Sequence, residues 1–271
     1  MRIKISTLGI LLCHFIVNSQ SIAKLDDINL GTSIELFSHV LEENRTINIY
    51  LPESYDNTPG NTYPVIYILD GGIKDIYIPT VGLIRFLSSK KGQQISESIV
   101  VGIENVDRRR DFTKPSKIES DLINFPSSGE SEKFLSFLSL ELMPLIEKEY
   151  RTDNIKTIIG HSLGGLLASE ILLTKSELFD NYLIISPSLW WNDNKILFYN
   201  TANISFNKKI YVGVWEREND KKITDQFVKR IKKQALASPD KKIMVQYDII
   251  AQNEHSNVVY PALYNGLRKL K

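Results

Sequence analysis

Gly160-His161-Ser162-Leu163-Gly164-Gly165 stands between the apolar run 155–159 and the helix-forming run 166–173. A chain that does this must end a strand, reverse sharply and start a helix, with a serine at the apex of the turn. A serine held there has a strained backbone, so the positions two before and two after it must be small. Gly160 and Gly164 fill those positions, and Gly165 lets the helix lie close to the sheet. The first amides of that helix have no intrahelical acceptor and point toward the turn, so the amide of Leu163 is a candidate donor to an oxyanion.

A serine hydroxyl is a weak nucleophile at neutral pH and needs a base, usually histidine, oriented by a carboxylate. The chain has four histidines, His14, His39, His161 and His255. His14 lies in the apolar N-terminal segment and His39 on an early strand. His161 adjoins the serine, with its side chain expected to point away across the turn. Chain order in an α/β-hydrolase arrangement runs nucleophile, acid, base, which leaves His255. It sits in the polar loop 252–257, between a strand-like run at 243–250 and a helical run at 258–270. A helix-capping histidine is the plainer alternative. The acid is sought just past the strand-like run 210–214, where Glu216, Glu218 and Asp220 compete. Glu218 is taken first and Glu216 second, with Asp220 suited to cap the next helix.

The N-terminus carries Arg2 and Lys4, a mostly apolar stretch at 5–17 and small or polar residues at 18–23. That is the outline of a secretory signal peptide, too short to span a bilayer, and it predicts a secreted or periplasmic mature chain from 24 to 271. Cys13, the one cysteine, falls inside the segment, so the mature chain has no disulfide. Acylation of Cys13 is disfavoured because Leu12 stands where a small residue is expected. A formal net charge of +1 gives no field to gather nucleic acid. No linker-like stretch divides residues 24–271, which predicts a single domain.

Strand-like runs at 33–41 and 45–51 predict an antiparallel hairpin. Runs at 64–69, 98–103, 155–159, 182–185, 210–214 and 243–250 predict further strands, separated by helical patterns at 132–150, 196–199, 222–236 and 258–270. The alternation predicts an α/β fold: a doubly wound, mostly parallel sheet with an N-terminal antiparallel hairpin, helices on both faces and a site at the carboxyl ends of the strands. Asp70-Gly71-Gly72 follows a central strand, so the amide of Gly72 is a candidate second oxyanion donor, against the plainer reading of a tight turn.

With these residues assembled, the chain resembles the esterase family of α/β-hydrolases that includes esterase D, feruloyl esterases and siderophore esterases. The likeness covers nearly the whole mature chain. It rests on the elbow and on segments 63–71, 101–105, 107–111 and 186–191, the last reading Ser186-Pro187-Ser188-Leu189-Trp190-Trp191. It implies that Arg108 or Arg110 meets an anionic or phenolic part of a substrate, against a solvated basic turn. Trp190 and Trp191 are placed as a pocket wall or as buried packing. Trp215, where relatives commonly have glycine, is expected to disturb the acid, leaving a serine–histidine pair; Asn253-Glu254 likewise replaces a frequent glycine.

The expected activity is therefore a serine esterase acting on a small-molecule carboxylic ester, with Ser162 as nucleophile, His255 as base and Glu218 as orienting acid. Leu163 and Gly72 supply the oxyanion amides, and no metal or organic cofactor is required. Acyl transfer through the same acyl-enzyme is the alternative, and a catalytically silent ligand-binding homologue the remoter one. Nothing in the sequence fixes an oligomeric state, and no stable membrane insertion is expected after signal removal.

Overall fold

A computed structural model describes residues 29–216, 218–251 and 254–270, with the side chains of 218–220 outside that set. The expected signal segment, Cys13 and Asn253 lie outside the described residues.

One eight-stranded sheet organises the chain, in the order β1-β2-β4-β3-β5-β6-β7-β8. The strands are β1 (Thr32–Ser38), β2 (Glu43–Tyr50), β3 (Tyr63–Leu69), β4 (Ile99–Ile103), β5 (Thr152–His161), β6 (Asn181–Ile185), β7 (Lys209–Trp215) and β8 (Met244–Ile250). β2 pairs antiparallel with β1 and β4, and every other pairing is parallel. This is the α/β-hydrolase sheet with its N-terminal hairpin. Because β3 sends the chain to β4 on one side and β5 returns on the other, the carboxyl ends of β3 and β5 flank a switch point, where such folds bind ligands.

Side chains of a strand alternate between faces, so the continuous apolar runs divide into two cores. Val65, Tyr67, Leu69, Val101, Ile158, Ile184 and Val212 pack on one face. Ile66, Ile68, Val100, Ile159, Leu183 and Ile185 pack on the other. The helices are α1 (Tyr77–Ser88), α2 (Arg108–Phe112), α3 (Glu119–Asn124), α4 (Ser131–Phe137), α5 (Met143–Glu149), α6 (Leu163–Thr174), α7 (Trp191–Asn194), α8 (Glu218–Ala237) and α9 (Val259–Lys269). α1 and α9 cover the second face through Val81, Ile84, Leu263 and Leu267. α4, α5, α6 and α8 cover the first through Phe134, Ile146, Leu167 and Ile231.

The expected helix over 132–150 is continuous but changes pitch: a π turn, Leu138–Leu142, joins α4 to α5. From this turn Glu141 reaches the hairpin, accepting the amides of His39 (2.9 Å) and Val40 (3.1 Å) and the Ser38 hydroxyl (2.5 Å). Those bonds end β1 at Ser38, three residues short of the end of the strand-like run read from the sequence. The helix expected at 196–199 is a 3₁₀ turn, Lys195–Phe198. The left-handed residues Asn192, Asp193 and Asn194 precede it and Tyr199 is extended, so only one tight turn fits. α1, α2 and α3 fall in segments the sequence pattern did not resolve.

Candidate active site

β5 ends at His161, and Ser162 has φ 58° and ψ −116°, a conformation costing about 1–3 kcal/mol that must be imposed by its surroundings. They are backbone bonds. Ser162 N–H donates to Ile185 O (3.0 Å), and its own carbonyl accepts the amides of Leu166 (2.9 Å) and Ser188 (3.0 Å). A Cβ on Gly160 would stand 2.2 Å from Gly164 O, and one on Gly165 3.0 Å from Ile185 O. The small residues are thus required by close approach of strand and helix. Leu163 opens α6, where its amide has no intrahelical acceptor.

Beside the elbow lies the turn after β3. Asp70 has φ 57°, and a Cβ on Gly164 would meet its Oδ2 at 3.2 Å. Gly71 N–H is spent on Ile103 O (2.8 Å) and Gly71 O accepts from Asn48 Nδ2 (2.9 Å), which pins the turn to β4 and β2. Among the described residues the amide of Gly72 takes no such bond. Asp75 sits against Gly72; burial, with the carboxylates of Asp70 and Glu104, pushes its carboxyl upward.

His255 begins the 3₁₀ turn His255–Val258 that leads into α9. Its ring lies 4.8 Å from that of His161, centroid to centroid, at 34°, and 5.8 Å from that of Trp215. The sequence expectation sets the His161 side chain away from Ser162, across the turn; in the structure that side chain lies against His255. β5 continues through His161, so this side chain falls on the face of Ile159, which is the face α9 covers, and there it meets His255. Burial, and then the neighbouring His255, pushes the His161 imidazole down to about 4, so it is neutral at neutral pH. A hydrogen bond between its ring and the main chain of His255 ties the two positions together.

β7 stays in register through Trp215, paired with Ile250, and the Trp215 amide donates to Ser186 Oγ (2.7 Å). The strand end is therefore regular at the tryptophan. Glu216 is exposed in the following turn, and Glu218 opens α8 with its side chain outside the described residues. Asp220 lies inside the first turn of α8 and not ahead of it.

The two arginines grouped by sequence part company. Arg108 grips Asp70 bidentately (Nε–Oδ1 2.8 Å, Nη2–Oδ2 3.0 Å) beside Asn105, whose Nδ2 is 2.6 Å from Oδ1, and its side chain is 36% exposed. Arg110 turns to the hairpin: Nη1 and Nη2 donate to Glu43 (3.0 and 2.5 Å) and Nε to Asp111 (2.8 Å). Asp111 is wholly buried against the wholly buried Arg45 (2.5 Å). Arg110 thus serves an ion network around the hairpin, whereas Arg108 is held at the turn after β3. The tryptophans divide similarly. Trp191 is buried with Nε1 on Lys114 O (2.9 Å), whereas Trp190 is 37% exposed beside Phe125, at 5.9 Å.

Ser188 drew no role from the sequence, although its segment was noted. Its hydroxyl is 3.1 Å from that of Ser162. Among the described residues no group of His, Cys, Asp or Glu is arranged to hold a metal ion. An apolar recess of about 180 Å³ lies at the opposite, amino edge of the sheet, between Pro64, Thr157, Asn181 and Leu270, remote from these groups.

The "Putative esterase" family model matches residues 38–264. The chain belongs to that family. The ferri-bacillibactin esterase BesA of Bacillus subtilis (strain 168) is 34% identical over 193 residues, 66% of this chain and 66% of that relative, so about a third of the relative's length is unmatched. Among solved structures, the BES protein from Bacillus cereus superposes with a TM-score of 0.78 at 26% identity, covering 93% of this chain and 99% of that one. An IroE-like serine hydrolase from Shewanella oneidensis gives 0.73 at 29% identity, over 88% and 79%. Family membership places the chain in an ester-hydrolysing class of enzymes.

Proposed function

We propose that the protein is an exported serine esterase that cleaves a carboxylic ester of the siderophore type through an acyl-enzyme on Ser162. The observation that carries the reading is the strained serine at the head of α6, with the Gly72 turn on one side and the His161–His255 pair on the other. In this reading Ser162 Oγ attacks the ester carbonyl and its proton passes to the His255 imidazole. The electron pair displaced onto the carbonyl oxygen is received by the amides of Leu163 and Gly72. The imidazolium then protonates the leaving alcohol, and water repeats the sequence to release the acid. Glu218, or Glu216, orients the imidazole.

Arg108 and Trp190 are the groups proposed to receive the substrate's anionic or phenolic part, one by paired donors and one by its ring face. The siderophore class is supported by the name of the BesA relative and by the resemblance read from the segments around these residues. Export is supported by the charged, apolar and small-residue order of positions 1–23. The test is hydrolysis of a short-chain nitrophenyl ester and of a ferric catecholate ester by wild type and Ser162→Ala. The variant is expected to lose all but a residual rate on both; equal rates would sink the nucleophile assignment.

A further inference from the structure

The turn after β6 is built as firmly as the elbow it faces. Ser186, with φ 35°, donates its amide to Gly213 O (2.7 Å), and its hydroxyl accepts the Trp215 amide. Pro187 restricts the next backbone angle and packs on α6, where a Cβ on Gly165 would approach its Cα to 3.0 Å. Ser188 then donates its amide to Ser162 O and accepts the Trp191 amide (3.2 Å). These bonds fix the Ser188 side chain, which is 5% exposed, with its hydroxyl against Ser162 Oγ. That oxygen is its one hydrogen-bond partner among the described residues.

We infer that Ser188 is a second hydroxyl of the reaction centre, donating its proton in a hydrogen bond to Ser162 Oγ while the Ser162 proton passes to His255. The inference rests on the serine-esterase reading. A hydroxyl has one proton and two lone pairs. With its proton directed to the imidazole, Ser162 Oγ has one lone pair for Ser188 and one for the carbonyl carbon. As the Oγ–C bond forms, the carbonyl π pair moves to oxygen and the Ser162 proton moves to His255; Ser188 keeps its own proton throughout. Oγ carries its greatest charge midway through that transfer, and a hydrogen bond to a charged acceptor is stronger than one to a neutral hydroxyl. The interaction is therefore stronger in the transition state than in the resting enzyme, which is the condition for it to accelerate the step. Because the turn is already fixed, no reorganisation is needed at that moment. The same donor assists Oγ as leaving group when the acyl-enzyme is hydrolysed.

Ser188→Ala tests this cleanly, since the backbone bond from residue 188 to Ser162 O survives the substitution. The second-order rate of labelling by a fluorophosphonate and kcat for a nitrophenyl ester are both expected to fall about 10- to 100-fold, one hydrogen bond to a charged group. KM should move by less than about threefold. Ser188→Thr, which keeps the hydroxyl, should recover most of the loss. A labelling rate equal to or above that of wild type would overturn the inference and make Ser188 a filler or a resting latch. Should Ser188→Ala fail to fold, Ser188→Cys offers similar volume with a weak donor, and a wild-type rate in it overturns the inference equally. Failure of the underlying reading looks different: wild type itself resists labelling and Ser162→Ala hydrolyses at the wild-type rate.

Discussion

Ser162 and Arg110 are both held fast, by opposite means. The elbow is fixed by main chain: three backbone hydrogen bonds hold it, and glycines at 160, 164 and 165 let strand and helix touch. The segment Arg108–Phe112 is fixed by charge, with Arg45, Glu43, Asp111 and Arg110 linked and two of the four wholly buried. A site held by backbone is indifferent to salt and intolerant of a methyl group. One held by buried ions tolerates small changes of shape and fails when a charge is left alone. The part expected to perform chemistry is the one whose geometry does not depend on ionic conditions.

The sharpest break in that contrast is Asp111→Ala. It strips a buried carboxylate from Arg45, leaving the guanidinium with Glu43 (2.7 Å) as its remaining carboxylate contact, and is expected to cost about 3–5 kcal/mol in urea unfolding. A loss below about 1 kcal/mol would mean that packing, not charge, holds this segment. Gly160→Ala should cost less, about 1–3 kcal/mol of stability, because Gly164 must retreat. Its signature is in the rate: ester hydrolysis should fall on the order of 100-fold, since displacement of a reacting atom by about 1 Å has that effect, and 1 M salt should restore nothing.

Glu170 mixes the two modes, a buried carboxylate on the elbow helix near Lys114 (3.5 Å) and Ser131. Burial, opposed by Lys114, pushes its carboxyl up to about 7 from an ordinary 4.5. The folded chain thus binds a proton that the unfolded chain has released between those values, and its contribution to stability falls as pH rises through that window. Glu170→Gln removes the dependence and is expected to be about 1–2 kcal/mol more stable than wild type at pH 8, with the gap closing by pH 4. A variant less stable at pH 8 would show that the Lys114 pair outweighs burial. The smallest stability effect is expected from Arg108→Ala, whose pair with Asp70 is partly solvated and worth at most about 1 kcal/mol. It should raise KM for an anionic or phenolic ester about tenfold while sparing a neutral nitrophenyl ester. An equal rise for both would confine Arg108 to bracing the Asp70 turn.

The elbow, the hairpin and the central strands were readable because each is dictated by neighbours in sequence: small residues about Ser162, and apolar runs such as 64–69 that fit only a strand covered on both faces. His255 was singled out by exclusion. What escaped depends on contacts between distant segments. Nothing local tells that β5 extends two residues past its apolar run and so turns His161 toward His255, nor that Ser188 arrives at Ser162 by way of Gly213 and Trp215. Arg108 and Arg110 look alike in sequence because an arginine's partner is chosen across the sheet; the hairpin's Glu43 claims one and Asp70 the other. α1 and α3 were hidden in segments whose exposed apolar residues, among them Ile78, Leu122 and Ile123, blur the helical period.

Glu141 shows how one surplus residue can act as a stitch. In a helix of regular pitch, each residue is turned about 100° from the last, so removing one residue from Leu138–Leu142 would swing Glu141 to a different side of the cylinder. The Ser38–Val40 corner would then lose three hydrogen bonds together. The outermost ribbon of the sheet is thereby fastened by an irregularity on a helix packed against the inner strands, and a shortened helix would loosen an edge that it scarcely touches.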